Sequence, residues 1–318
     1  MLVTAPDPND PVLRQAFTDS ELLTAVLEHI EEGVYVVDAA RRILYWNHGA
    51  TRITGYAAHE ATGSSCGSGV LMHCDGDGNV LCGTACPLLE VLADGMARER
   101  IVFLQHRDGH RVPVRARSGA VRGAGGAVVG ALEMFEEALM PGRADTAALG
   151  AHGCLDELTG AANRAYGEMR LHQGLEAASR FGIPVGWLGI ALDGAEELEH
   201  RYGHGLIDAA MTTIARTVDG NLGAHDVLMR WERTGFRVFL HNAPPEQMAE
   251  LAARLVALVR ASTLVWWGDP LRITVSIGAA PAGNGDSIEN LEARAGQAFE
   301  HCRASGGNCA GWPREGGE

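Results

Sequence analysis
Between Glu137 and Leu155 the sequence runs through ALMPGRADTAALGAHGC, a stretch of alanine, glycine and polar residues, and the hydrophobic patterns on its two sides follow different rules. Before it, short β-rich runs alternate with turn compositions; after it, helical and strand patterns take turns. A chain that changes pattern at a polar break folds as two domains, and 318 residues with 46% hydrophobic content can give each a core. The expected layout is a polar leader over 1–18, a first domain over 19–137, a linker with some helical pattern over 138–153, a second domain over 154–310 and a tail over 311–318.

A net charge of -14 repels nucleic-acid backbones and anionic bilayers, so neither is expected as the main partner. No run approaches the ~20 apolar residues that cross a bilayer, and MLVTAPDPNDPVLRQ lacks the basic-then-apolar order of a signal peptide. The expected location is the cytoplasm. In that reducing compartment seven cysteines, an odd number, do not suggest a disulfide framework. Cys302 and Cys309 read as incidental residues on a helix and its exit loop.

The first domain opens with an amphipathic pattern, Leu22, Leu23, Val26, Leu27 and Ile30, which Asp19 or Ser20 can cap. A hairpin over VYVVDAARRILYWN follows, then short helices around Gly49–Ile53 and Pro87–Asp94, then three strands broken at RDGH and RGAGG. The series GVYVVDAARRILYWNHGATRITGYAAHE, continued by HRDGHRVPVRARSGAVRGAGGAVVGALEMFEE, resembles a PAS domain. The resemblance implies a five-stranded antiparallel sheet with helices, and a sensor that relays a signal to a C-terminal output domain. His106 and His110, at the RDGH turn, are expected to be solvated and receive no role.

Four of the seven cysteines lie between Ser64 and Pro87, in the order Cys66, Cys74, Cys82 and Cys86, with His73 beside Cys74. Three thiolates and an imidazole make a tetrahedral zinc set, so Cys66, His73, Cys82 and Cys86 are the candidate ligands, with Cys74 as a substitute. A glycine-rich loop with little to bury gains order from a multidentate ion. Iron or an iron–sulfur cluster accepts the same ligands, and a third reading leaves Cys82 and Cys86 as buried thiols behind the following helix. DGDGNV, from Asp75, begins like a calcium loop, but Cys86 stands where the closing glutamate belongs, so it is read as the turn of a small hairpin.

The second domain reads as mixed α/β, with a strand over VGWLGIAL, a helix over AAMTTIARTV, a hairpin over LMRWERTGFRVFL, a helix over PEQMAELAARLVALVRA and a strand over RITVSIGAAP. DELTGAANR, RYGHGLIDAAM, RITVSIGAA and ASGGN resemble the GGDEF family, the diguanylate cyclases that condense two GTP into cyclic di-GMP. The fold class is therefore α+β, a PAS domain followed by a GGDEF, nucleotidyl-cyclase-like domain. The family signature falls on Glu232, Arg233, Thr234, Gly235 and Phe236, of which only Phe236 matches.

By the same resemblance the metal-binding Asp of the first strand is Ala191, the guanine-recognising Asn is Glu199, and the Arg-x-x-Asp feedback site has become Gly223 to Asp226. Asp193, Asp208 and Arg303 remain as nucleotide-binding remnants, while a second basic position is Gly307. Losing the metal-side carboxylates removes the charge neutralisation that phosphoryl transfer needs, so no catalytic residue is assigned. The expected function is signalling by protein contact, with a homodimer and a partner signalling protein implied by the family. An active cyclase using Mg²⁺ with altered ligands, and a non-catalytic nucleotide receptor, are the alternatives.

Overall fold
The computed structural model describes residues 20–83, 85–138, 149, 150, 152–283 and 285–313. The expected leader, the Asp19 cap, most of the linker and the end of the tail lie outside the described residues. Two compact units emerge. The first holds the described residues up to Met72 with Cys82–Ile101 and Arg115–Glu137; the second holds His73–Leu81, Val102–Val114 and the described residues from Ala138 onward.

Helix α1 (Ser20–His29) leads into strands β1 (Gly33–Asp38) and β2 (Ile43–Trp46), helices α2 (His48–Thr54), α3 (Ala58–Ala61) and α4 (Pro87–Asp94), and strands β3 (Arg98–Gln105), β4 (Arg111–Arg122) and β5 (Val128–Glu137). The strands form a five-stranded sheet in the order β2-β1-β5-β4-β3, and β1 pairs antiparallel with both β2 and β5. The β1–β2 turn closes because the Asp38 carboxylate accepts the N–H groups of Ala40 and Arg42. Buried Asn47 ties three segments together: it accepts N–H groups from Val34 and Ala50, both at 2.8 Å, and donates to Leu27 O and Glu32 O. It thereby caps α2 and fixes the end of α1 to β1. Along α1 itself Leu22, Leu23 and Val26 are exposed.

Beyond the linker come α5 (Arg164–Phe181), β6 (Val185–Leu192), α6 (Ala195–Tyr202), α7 (His204–Asp219), β7 (Val227–Glu232), β8 (Gly235–His241), α8 (Pro245–Ala261), β9 (Leu264–Trp266), β10 (Asp269–Leu271), β11 (Val275–Pro281), α9 (Ile288–Ala304) and β12 (Ala310–Gly311). The sheet order is β12-β11-β6-β8-β7, with β6 at the centre and antiparallel to both neighbours. Successive side chains of a strand point to opposite faces, and β6 uses both. Leu188, Ile190 and Leu192 enter the core built with α7 and α8, whereas Val185 and Trp187 join Leu171 of α5 and Leu291 of α9 on the other side. A fully apolar β6 is the sequence consequence of being covered twice.

Where β11 meets α9 the backbones nearly touch: a Cβ on Gly278 would lie 2.0 Å from Ala295 O. The small β9–β10 hairpin turns through Trp267 and Gly268, both with positive φ, and is too short to announce itself as a pattern. One sequence expectation is corrected here. Cys302 and Cys309 are not incidental; they form a disulfide with Cα atoms 5.8 Å apart, closing the exit from α9.

Candidate functional site
The β7–β8 turn carries the replaced signature. Glu232 pairs with Gly235 across the ladder, and Arg233 and Thr234 form the turn without a positive φ, so neither missing glycine leaves strain behind. The Arg233 guanidinium reaches α6 and donates to Glu199 Oε2 at 2.7 Å; its other nitrogen contacts Glu199 Oε1 and lies 2.8 Å from His204 Nδ1. His204 also contacts Glu199. Two positions that differ from the family pattern thus face each other as an ion pair, with Glu199 less exposed, 23%, than Arg233, 53%.

The remnant residues are also placed. Both carboxylate oxygens of Asp193 are engaged, Oδ1 accepting from Ser276 Oγ at 2.6 Å, and Oδ2 from Thr274 Oγ at 2.8 Å and from the Asn308 N–H at 2.9 Å. Asp193 therefore holds the end of β6 to the start of β11 and to the disulfide-closed loop. Asp208 is exposed on α7. Burial holds the Arg230 guanidinium below its ordinary value, against the opposing charges of Asp156 and Asp208. Arg303 is exposed on α9, 3.7 Å from Glu300 and over the Phe299 ring. At the former feedback position Asp226 accepts the N–H groups of Gly223 and His241, at 2.7 and 2.8 Å, and so serves the backbone. Ala191 pairs with Gly235, and neither offers a metal ligand.

In the cysteine-rich segment Cys66 opens a single turn over Cys66–Val70, and Cys86 stands at the N-cap of α4. Cys66, Cys82 and Cys86 are all buried. Burial pushes the Cys66 thiol up to about 12; Cys86, Glu133 and Cys82 push the same way, and Arg41 opposes them. Beside them Tyr35 and Ser118 donate their hydroxyls to buried Glu133, at 2.9 and 2.8 Å, and burial raises the Tyr35 phenol well above its ordinary value. His73 and Cys74, also buried, belong to the other unit. There the DGDGN turn closes as a hairpin: Asp75 accepts the N–H groups of Asp77 and Asn79, Cys74 bridges Val80, and the Leu81 N–H donates to His73 O.

The turn from β3 to β4 departs from expectation. His110 is only 9% exposed, its ring stacks on that of His106 with centroids 4.3 Å apart, and its Nδ1 is buried with no hydrogen-bond partner. Burial, aided by the positive charges of His106 and Arg216, pushes the His110 imidazole down to about 3. Neither histidine is a solvated turn residue. Among the described residues, His106, Asp108 and His110 are the group of His, Cys, Asp or Glu ligands that all lie within 4.8 Å of one another; the cysteine set is not gathered to that spacing. Sequence reasoning missed the turn because an HRDGH stretch looks polar, and only the burial of His110 marks it.

Residues 21–137 match the PAS fold family model, and residues 154–309 match the model described as diguanylate cyclase, GGDEF domain. The chain is similar to the response regulator PleD of Caulobacter vibrioides, 31% identical over 156 residues, which are 48% of this chain and 34% of that protein. It is similar to the probable diguanylate cyclase DgcE of Escherichia coli K12 at 26% identity over 266 residues, 82% of this chain but 23% of that protein. The alignments thus span about a third or less of these relatives' lengths. Among solved structures, the GGDEF domain of DgcB from Caulobacter crescentus in complex with c-di-GMP aligns with a TM-score of 0.49 and 20% identity, covering 50% of this chain and 92% of that one.

Proposed function
Because this chain carries a PAS domain over residues 21–137 and a GGDEF domain over residues 154–309, we propose that it is a cyclic di-GMP signalling protein whose GGDEF domain acts by contact rather than by cyclase chemistry. The observation that carries this reading is the ion pair of Arg233 with Glu199. Guanine recognition by an Asn and close backbone approach by two glycines, which the family resemblance implies for these positions, are replaced here by two charges that satisfy each other.

The donor set supports the same reading. Phosphoryl transfer depends on metal-assisted neutralisation and positioning of the phosphates. Ala191, Thr234 and Gly235 carry no carboxylate, and both oxygens of Asp193 already hold protein donors, so the residues present do not fit a catalytic Mg²⁺. Without Arg at Gly223, the guanidinium that would grip a dinucleotide at the feedback site is missing. The output is then a surface, offered to a partner signalling protein by a homodimer in the cytoplasm.

For the PAS domain the reading includes zinc on Cys66, Cys82 and Cys86, with iron as the alternative, and requires these thiols to close in from a spacing wider than ligands of one ion take. Its support is the shared burial of these thiols, where a cation would replace three protons. Elemental analysis and an absorption spectrum of protein purified without air, set against a Cys82→Ser/Cys86→Ser double variant, test that part. The enzymatic part is tested by incubating the full chain with GTP and Mg²⁺ or Mn²⁺, where no cyclic di-GMP is expected. Product that disappears on Asp208→Ala would overturn the proposal, and calorimetric heat with GTP but no turnover would favour a nucleotide receptor.

A further inference from the structure
We propose that His106, Asp108 and His110, in the turn between β3 and β4, bind a divalent transition-metal ion at a site separate from the cysteines. Two imidazoles and a carboxylate suit Zn²⁺, Co²⁺, Ni²⁺ or Cu²⁺, whereas Ca²⁺ and Mg²⁺ prefer sets made of oxygen alone. His106 Nδ1 and Asp108 Oδ2 are 3.5 Å apart. A tetrahedral ion with bonds of ~2.1 Å separates its ligands by ~3.4 Å, so these two atoms already stand at the edge of a coordination tetrahedron. A ring nitrogen of His110 completes a group whose ligand atoms all lie within 4.8 Å. Three protein ligands leave a fourth position to water.

The second observation is independent of that spacing. His110 Nδ1 is buried without a partner, a state that costs free energy unless something unseen by the protein's own donors and acceptors satisfies it. The turn is also held in shape: His106 N–H donates to His110 O at 2.9 Å, Gly109 adopts a φ of 91° and the two rings stack with centroids 4.3 Å apart.

Three features oppose the ion. The Asp108 N–H donates to His106 Nδ1 at 3.1 Å and must release it, and Arg216 donates to Asp108 Oδ2 at 2.5 Å. Arg107 adds a second positive charge near His106. The ion and the α7 guanidinium therefore compete for one carboxylate, which makes binding reversible and gives the site a signature that a purely structural turn lacks: removing Arg216 strengthens it.

The test is a Co²⁺ titration of the metal-stripped full chain, read by absorption. Ligation by nitrogen and oxygen gives visible d–d bands without the near-ultraviolet thiolate charge transfer that the cysteines would produce. The expected result contains these nitrogen–oxygen bands beside any thiolate charge transfer from the cysteines, with the affinity read from them lowered ~10-fold or more in His110→Gln and in His106→Gln, and raised several-fold in Arg216→Gln. Asp108→Asn at the exposed rim, checked by circular dichroism, carries the test if His110→Gln does not fold. Equal affinity in the wild type and all four variants, or a spectrum made of thiolate charge transfer alone, would overturn the proposal.

Discussion

The pairing of Arg233 with Glu199 makes a quantitative prediction. The perturbation is a double-mutant cycle of Arg233→Ala and Glu199→Ala, run in a His204→Ala background because His204 touches both and would otherwise offer each survivor a substitute partner. Charge centres ~4 Å apart attract by ~1 kcal/mol in water and ~4 kcal/mol at an effective dielectric of 20. Arg233 is more than half exposed, which places the pair near the lower figure, and holding its long side chain in place costs part of that. The expected coupling is about 0.5–1 kcal/mol, the upper end reflecting bidentate geometry. Urea unfolding of the four proteins, followed through the transition of the GGDEF domain, supplies the number. A coupling indistinguishable from zero would refute the claim that these substitutions compensate each other, and with it the main support for a GGDEF domain that acts by contact.

Three further outcomes follow from other contacts. Asn47→Ala leaves the Val34 and Ala50 N–H groups without their acceptor and is expected to cost roughly 2–4 kcal/mol in thermal or urea unfolding, far more than an exposed Asn→Ala control. Reducing Cys302–Cys309, or replacing Cys302 by Ser, is expected to destabilise the second unit by ~2–3 kcal/mol from loop-closure entropy, seen as a lower urea midpoint with dithiothreitol than without. Arg294 and the Gly283 N–H hold the Asp286 carboxyl below its ordinary value, so its stabilising contribution is complete above its unfolded pKa of ~3.9 and fades as pH falls through the lower folded one. The stability gap between wild type and Asp286→Asn should therefore narrow on acidification below pH ~4, as unfolding at graded pH would show.

Much of the fold was legible because the patterns were long and regular. Strand β6 is an unbroken apolar run, α8 begins at its prolines, and both were bounded in the sequence as they stand in the structure. The turn DGDGN was legible because Asp75 can close it locally. What stayed hidden depends on tertiary neighbours. Burial of His110 is invisible in a polar turn, the β9–β10 hairpin is only a few residues long, and the link between Cys302 and Cys309 contradicts an inference drawn from compartment rather than from geometry. The replaced signature could be counted off in sequence, yet the pairing of Arg233 with Glu199, 34 positions apart, could not, since long-range ion pairs leave no local spacing.

Mechanically, α1 is a lever pinned at one end. Its C-terminal turn is riveted through Asn47 to β1, while the apolar side chains of Leu22, Leu23 and Val26 along its arm are exposed to the outside. Strand β1 is clamped by hydrogen bonds on both edges, to β2 and to β5, so it is a stiff member that yields little in its own plane. Strand β5 pairs with the whole length of β1 and ends at Glu137, where the chain leaves the sheet, so arm, pivot and exit strand form one hydrogen-bonded series. The amide of one asparagine thus joins the arm of the domain to the strand pair through which the chain leaves it.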